Sequence, residues 1–185
     1  MIEVIDQQFS SINILERAIY KECTFENCDL SKQNLNSFQF IDCAFIGCNL
    51  SNSDISQASF KTVSFESCKL MGIQFQQANP FLFKVVFEAC NLSLSSFYSM
   101  NINKTQFIDC DLSEVDFTET ELKESDFSGS TLSQTIFEKT NLSKSDFRTA
   151  ENFRINPSEN NIKKAKFSKE NLAGLLSDFD IVISQ

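Results

Sequence analysis

Two sets of residues in this chain have types and spacings that could do chemistry: seven cysteines and one dense run of carboxylates. The thiols are Cys23, Cys28, Cys43, Cys48, Cys68, Cys90 and Cys110, and five of them fall in the motif Phe-x-x-Cys-x-Leu, starting at Phe25, Phe45, Phe65, Phe87 and Phe107. Cysteines can ligate zinc or cycle between redox states, but a zinc site usually gathers ligands two to four residues apart at one point. Cys28, Cys48, Cys68, Cys90 and Cys110 are instead a whole repeat apart, which predicts one column along a rod. The chain has no histidine, so no mixed Cys/His site, histidine base or histidine-activated nucleophile can form. Four scattered glycines make no phosphate-cradling loop. The cysteines read as small buried hydrophobes, and the expectation is a non-enzyme with no metal and no cofactor, acting through a surface.

The carboxylates are Asp109, Asp111, Glu114, Asp116, Glu119, Glu121, Glu124 and Asp126, opposed only by Lys123, a net charge of −7 within 18 residues that, in the five-residue repeat described below, forms an acidic collar around about one turn. The whole chain carries −9. Residues 1–150 hold 20 acidic and 11 basic residues, and residues 151–185 hold five of each, so all the net charge belongs to the first 150. That balance disfavours direct binding to nucleic acid. No apolar run approaches the roughly 18–20 residues that span a bilayer, so no membrane contact is expected. "MIEVIDQQFS" has acids where a secretory signal carries bases. A cytoplasmic protein with reduced thiols is the expectation.

What positions these residues is a period of five, which fits neither a helix nor a strand. Large apolar residues stand at every fifth position from Leu15 to Phe75 and again from Phe87 to Phe147, thirteen in each run. The registers differ by two residues, which places an insertion near 78–86, around Pro80. Phe-x-x-Cys-x-Leu recurs after 20, 20, 22 and 20 residues, so four pentads make one turn. Such a chain is a four-sided solenoid, each turn covering the apolar face of the next at about 4.8 Å. The expected core ladder is Phe25, Phe45, Phe65, Phe87, Phe107, Phe127 and Phe147. Residues two before each central position are mostly small and point inward. Those one before are often Asp or Asn, which can hydrogen-bond nearby backbone at a corner. So few glycines and prolines argue against many turns with positive φ.

The repeat small–Asp/Asn–Leu/Phe–x–x, as in "CDLSE", "VDFTE", "SDFSG" and "TNLSK", resembles the pentapeptide repeat proteins over about residues 13–150. That resemblance implies an all-β solenoid: a right-handed quadrilateral β-helix of about seven coils over residues 1–150. Residues 151–185 read as a loop, an amphipathic α-helix capped at Ser168, and a short strand, serving as cap and dimer contact. Leu172, Leu175, Leu176 and Phe179 fall on one helical stripe, followed by the β-branched Ile181, Val182 and Ile183. With this tail the chain looks like the topoisomerase-protecting branch of the family, the Qnr-, MfpA- and McbG-like proteins. The branch implies a C-terminally joined homodimer that imitates B-form DNA, binds DNA gyrase or topoisomerase IV, and protects it from quinolones or peptide toxins. The alternative is a repeat scaffold or regulator that binds another protein. Seven turns span about 34 Å and a dimer about 70 Å, near the length of about 20 base pairs. At −18 the dimer carries about one charge per 4 Å, under half the density of duplex DNA, so shape must contribute. Many Qnr proteins project longer loops from the rod, whereas the one break here is the insertion near Pro80.

Overall fold

The computed structural model describes residues 2–179 together with Ile181 and Val182. Its strands are short because the chain turns a corner at nearly every pentad. They are β1 (Glu3–Ile5), β2 (Gln8–Ser10), β3 (Ile19–Lys21), β4 (Thr24–Glu26), β5 (Gln39–Ile41), β6 (Ala44–Ile46), β7 (Ser59–Glu66), β8 (Lys84–Glu88) and β9 (Gln106–Ile108). All pair in parallel, in the order β1-β3-β5-β7-β6-β4-β2, with β8 on β7 and β9 on β8. Register follows the 20-residue period: Phe25 lies opposite Phe45, Phe45 opposite Phe65, Phe65 opposite Phe87, and Phe87 opposite Phe107. Beyond β9 the segments meet through single parallel bridges, such as Asp111 with Thr131, Asp126 with Asp146 and Asp146 with Lys166. The molecule is thus a parallel β-solenoid with almost no helix. Regular strands mark about five turns, short of the seven coils expected, because the later turns are joined bridge by bridge.

The core is a set of stacked rings. Phe25, Phe45, Phe65, Phe87, Phe107, Phe127 and Phe147 are all buried, with consecutive centroids 4.6–5.4 Å apart and planes within 15° of parallel. The stack extends to Phe9 at one end and Phe167 at the other. A second stack runs through Phe75, Phe97, Phe117 and Phe137. The two meet edge to face, as where Phe107 meets Phe117 at 5.6 Å and 75°. Offset stacking within a column and T-shaped contact between columns are the two arrangements the ring quadrupole favours.

The glycine argument against positive φ fails. Among the described residues 25 non-glycines have positive φ, nearly all two positions after a central residue: Asp109 at 52°, Glu114 at 58°, Glu119 at 57°, Glu124 at 62°. A left-handed L-residue costs about 1–2 kcal/mol, and here the ladder offsets it. Most such residues donate their N–H to a carbonyl of the next turn: Asp109 to Ser128 at 2.9 Å, Glu114 to Ser133 at 2.9 Å, Glu119 to Glu138 at 2.8 Å, Glu124 to Ser143 at 2.9 Å. The preceding corner bond is side chain to backbone. Asp111, Asp116 and Asp126 accept from the N–H two residues on, at 2.9–3.0 Å.

The small inward position also does more than stay small. Cys48, Cys68 and Cys90 donate their thiols to the carbonyls of Phe25, Phe45 and Phe65 at 3.3–3.4 Å. Ser130 and Thr140 donate to Phe107 and Phe117, each at 2.8 Å. In return Cys48 Sγ accepts the Cys28 N–H at 3.4 Å, and Ser130 Oγ accepts the Cys110 N–H at 2.9 Å. At these sites the position is filled by a compact donor–acceptor, a property Cys, Ser and Thr share, whereas Ala18, Ala58 and Val115 fill it by size alone.

Two departures remain. The insertion shifts the register between β7 and β8, from Lys61–Lys84 to Val63–Val85, and leaves Phe81 and Leu82 exposed. In place of the C-terminal α-helix there is only a 3₁₀ turn, Leu172–Leu175. Ser168 is no N-cap; its own N–H donates to Asn171 Oδ1 at 3.0 Å. Asn171 in turn donates to the carbonyls of Phe147 and Ala150, tying the segment to the last coil. Gly174 lies against Phe153, where a Cβ would come within 2.5 Å of the ring and the carbonyl, and its carbonyl accepts the Ile155 N–H at 3.0 Å. The chain follows these fixed contacts in preference to the helical stripe, and a glycine within the stripe lowers helix propensity by a further ~1 kcal/mol. Ile181 and Val182 form no strand, and Ile183 lies outside the described residues.

Candidate functional site

The corner geometry decides where the carboxylates point. Asp109, Glu114, Glu119 and Glu124 occupy left-handed corners, while Asp111, Asp116, Glu121 and Asp126 sit one before a central residue on the four sides. Together they encircle the rod over about one turn. A partner on one side therefore meets one side and its two corners, such as Asp109, Asp111 and Glu114, and never all eight. Asp109, Glu114, Glu119 and Glu121 are exposed; the other four are half-buried.

The ring is electrostatically uneven. Glu124 is held by Lys144 at 2.8 Å, Lys104 at 3.7 Å and Lys123 at 4.0 Å. Hydrogen bonding from Lys144, reinforced by its charge, lowers the Glu124 pKa from the usual carboxylate value. Glu119 pairs with Lys139 at 3.8 Å and accepts from Tyr98 Oη at 3.3 Å, and its charge raises the Tyr98 pKa. Glu121 takes the Asn141 amide at 2.6 Å. Among the described residues Asp109, Asp111, Glu114, Asp116 and Asp126 form no salt bridge. Four of these five, Asp109, Asp111, Glu114 and Asp116, lie away from the Glu124 corner.

The thiols are enclosed within the rod. All seven cysteines are buried and unpaired in disulfides, and burial pushes the Cys43 thiol up to about 11. Among the described residues no group of three or more potential ligands is gathered to hold a metal. At the other end of the rod Leu172, Leu176, Phe179, Ile181 and Val182 are exposed, Val182 at 95%, while Leu175 packs against the core. These residues leave an apolar face at the C-terminal end of the described chain. The aligned lysines were missed in the sequence: Lys104, Lys144 and Lys164 are spaced by multiples of 20 residues, and that spacing was the available signal.

A parallel solenoid of five-residue units, with buried Phe and Leu columns, places the chain in the class of parallel β-solenoids. The profile described as "Pentapeptide repeat region" matches residues 18–80, 81–151 and 106–176, and the chain belongs to the pentapeptide repeat family. Curated protein sequences include no match. Among solved structures, a trypsin-treated variant of QnrB1, described as a plasmid-mediated fluoroquinolone resistance protein, superposes with TM-score 0.66 at 18% identity, covering 99% of this chain and 98% of that one. Full-length QnrB1 gives 0.52 at 20% identity, covering 97% and 100%. HetL, a pentapeptide repeat protein involved in heterocyst differentiation regulation from the cyanobacterium Nostoc sp. strain PCC 7120, gives 0.57 at 16% identity, covering 90% and 84%. At these identities the likeness is one of fold.

Proposed function

We propose that this protein is a non-enzymatic, cytoplasmic DNA mimic that binds a type II topoisomerase, DNA gyrase or topoisomerase IV, and protects it from quinolones or peptide toxins. The observation that carries the reading is the uncompensated acidic stretch Asp109–Asp116 on a parallel β-solenoid. A groove shaped for a phosphate backbone is basic and elongated, and a stiff acidic rod complements it in both respects. End-to-end superposition on QnrB1 supports the same reading.

The C-terminal face joins two copies in this proposal. Leu172, Leu176, Phe179 and Ile181 present apolar area that a two-fold contact would cover, since an isologous interface needs one self-complementary patch. A second reading, a regulator that binds another protein, is favoured by the comparable superposition on HetL. Surface plasmon resonance on immobilised gyrase separates the two. Salt-sensitive binding that falls at least tenfold in an Asp111→Lys/Glu114→Lys variant supports topoisomerase capture; absence of binding leaves the regulator. Light scattering of wild type and Leu172→Asp/Leu176→Asp tests the dimer, which the variant should dissociate.

A further inference from the structure

The rod's net charge conceals a cationic side. Consecutive turns stack Asn101 on Glu121, Glu121 on Asn141, and Asn141 on Asn161, all in parallel register. Beside that column the corner positions are Lys104, Glu124, Lys144 and Lys164, all left-handed, with φ between 60° and 64°. Backbone bonds fix their succession: Lys104 N–H to the Lys123 carbonyl at 2.9 Å, and Lys144 N–H to the Lys163 carbonyl at 3.0 Å. Five lysines, Lys104, Lys123, Lys144, Lys163 and Lys164, therefore line one edge of one flat side.

Glu121 and Glu124, the acids beside these lysines, are already engaged, as is Glu119 at the far corner of the same side, which pairs with Lys139 at 3.8 Å. Glu124 is shared by three of the lysines, and Glu121 accepts the Asn141 amide, which accepts in turn from Asn161 at 3.1 Å. What faces solvent is rich in donors: ammonium groups and side-chain amides. Lys104 is 74% exposed along its side chain. Lys163 and Lys164 are exposed and form no salt bridge among the described residues.

We propose that this side binds the phosphodiester backbone of nucleic acid. Ammoniums repeated on a rigid scaffold suit a polyanion whose charges also recur along a line. Lys104 to Lys144 spans two turns, about 10 Å, or about three nucleotide steps along one strand. The whole-chain charge of −9 argued against nucleic acid only as an average; the acids that produce it lie mainly on the other sides and corners. This inference is independent of the topoisomerase reading, and its test uses no topoisomerase.

Fluorescence anisotropy of a labelled duplex of about 20 base pairs, titrated with the full chain, reads the contact. With about three phosphates neutralised, affinity falls about 40-fold between about 50 and 200 mM salt. Lys163→Glu/Lys164→Glu, at two exposed and unpaired positions, should weaken binding at least tenfold. Lys32→Glu/Lys69→Glu changes the net charge equally on a different side and should weaken it less than threefold. Absence of binding at low salt, equal loss in both variants, or competition by polyglutamate as strong as by unlabelled duplex would each overturn the proposal.

Discussion

Ser125 and Ser130 occupy the same inward position one pentad apart and are equally buried, yet the solenoid predicts opposite outcomes for their removal. Ser130 Oγ donates to the Phe107 carbonyl at 2.8 Å and accepts the Cys110 N–H at 2.9 Å. Ser125 Oγ has no hydrogen-bond partner. Ser130→Ala strands two buried backbone groups at roughly 1–3 kcal/mol each. Part of that is regained because the hydroxyl no longer needs desolvating, which leaves about 2–3 kcal/mol net. Ser125→Ala removes an unsatisfied buried hydroxyl and should be neutral or stabilising by up to ~1 kcal/mol. Urea unfolding followed by far-ultraviolet circular dichroism reads both. With a slope of about 2–3 kcal/mol/M, Ser130→Ala lowers the midpoint by about 1 M while Ser125→Ala leaves it in place or raises it. Equal losses in the two variants would refute the claim that this position works by hydrogen bonding and reduce it to a matter of size.

Phe107→Ala removes a ring stacked at 5.3 Å on both Phe87 and Phe127 and should cost about 4 kcal/mol in the same unfolding experiment; a loss below about 1.5 kcal/mol would contradict the continuous stack. Gly129→Ala drives a Cβ into Asp109 Oδ1 at a φ of +71°, so a fall in thermal midpoint equivalent to about 1–2 kcal/mol is expected. Arg148 and, less strongly, Lys166 hold the Asp146 carboxyl down at about 2 against burial. A depressed carboxylate contributes stability above about pH 4 and loses it as pH falls through about 2. Asp146→Asn should therefore cost about 1 kcal/mol at pH 6, after allowance for solvent screening, and almost nothing by about pH 1. A pH-independent difference would show that the ion pairs are not its source.

The interior was legible because two columns each keep one side-chain type, Phe from Phe25 to Phe147 and Leu from Leu30 to Leu132. A ring that must meet Phe87 and Phe127 can only be aromatic, so Phe107 announces itself every 20 residues. The corners were legible in place and misjudged in conformation. Glycine supply governs turns that stand alone, whereas at Glu114 or Glu124 a bond to the next turn offsets the left-handed cost. The C-terminal segment was misread for a related reason. Leu172, Leu175, Leu176 and Phe179 satisfy a helical period, but Asn171 and Gly174 are pinned to the last coil by contacts that periodicity does not reveal. The carboxylates were legible as an acidic collar; sorted by side, they leave an uncompensated stretch at Asp109–Asp116, while lysines of successive turns, from Lys104 to Lys164, align as a cationic edge.

The most direct test of the topoisomerase account is a gyrase supercoiling assay titrated with the protein, with and without ciprofloxacin. The account predicts that supercoiling poisoned by the drug is restored as protein is added, and that Asp111→Lys/Glu114→Lys abolishes the rescue. Supercoiling that stays poisoned, and stays unaltered in the absence of drug, at concentrations where the protein is dimeric would contradict it.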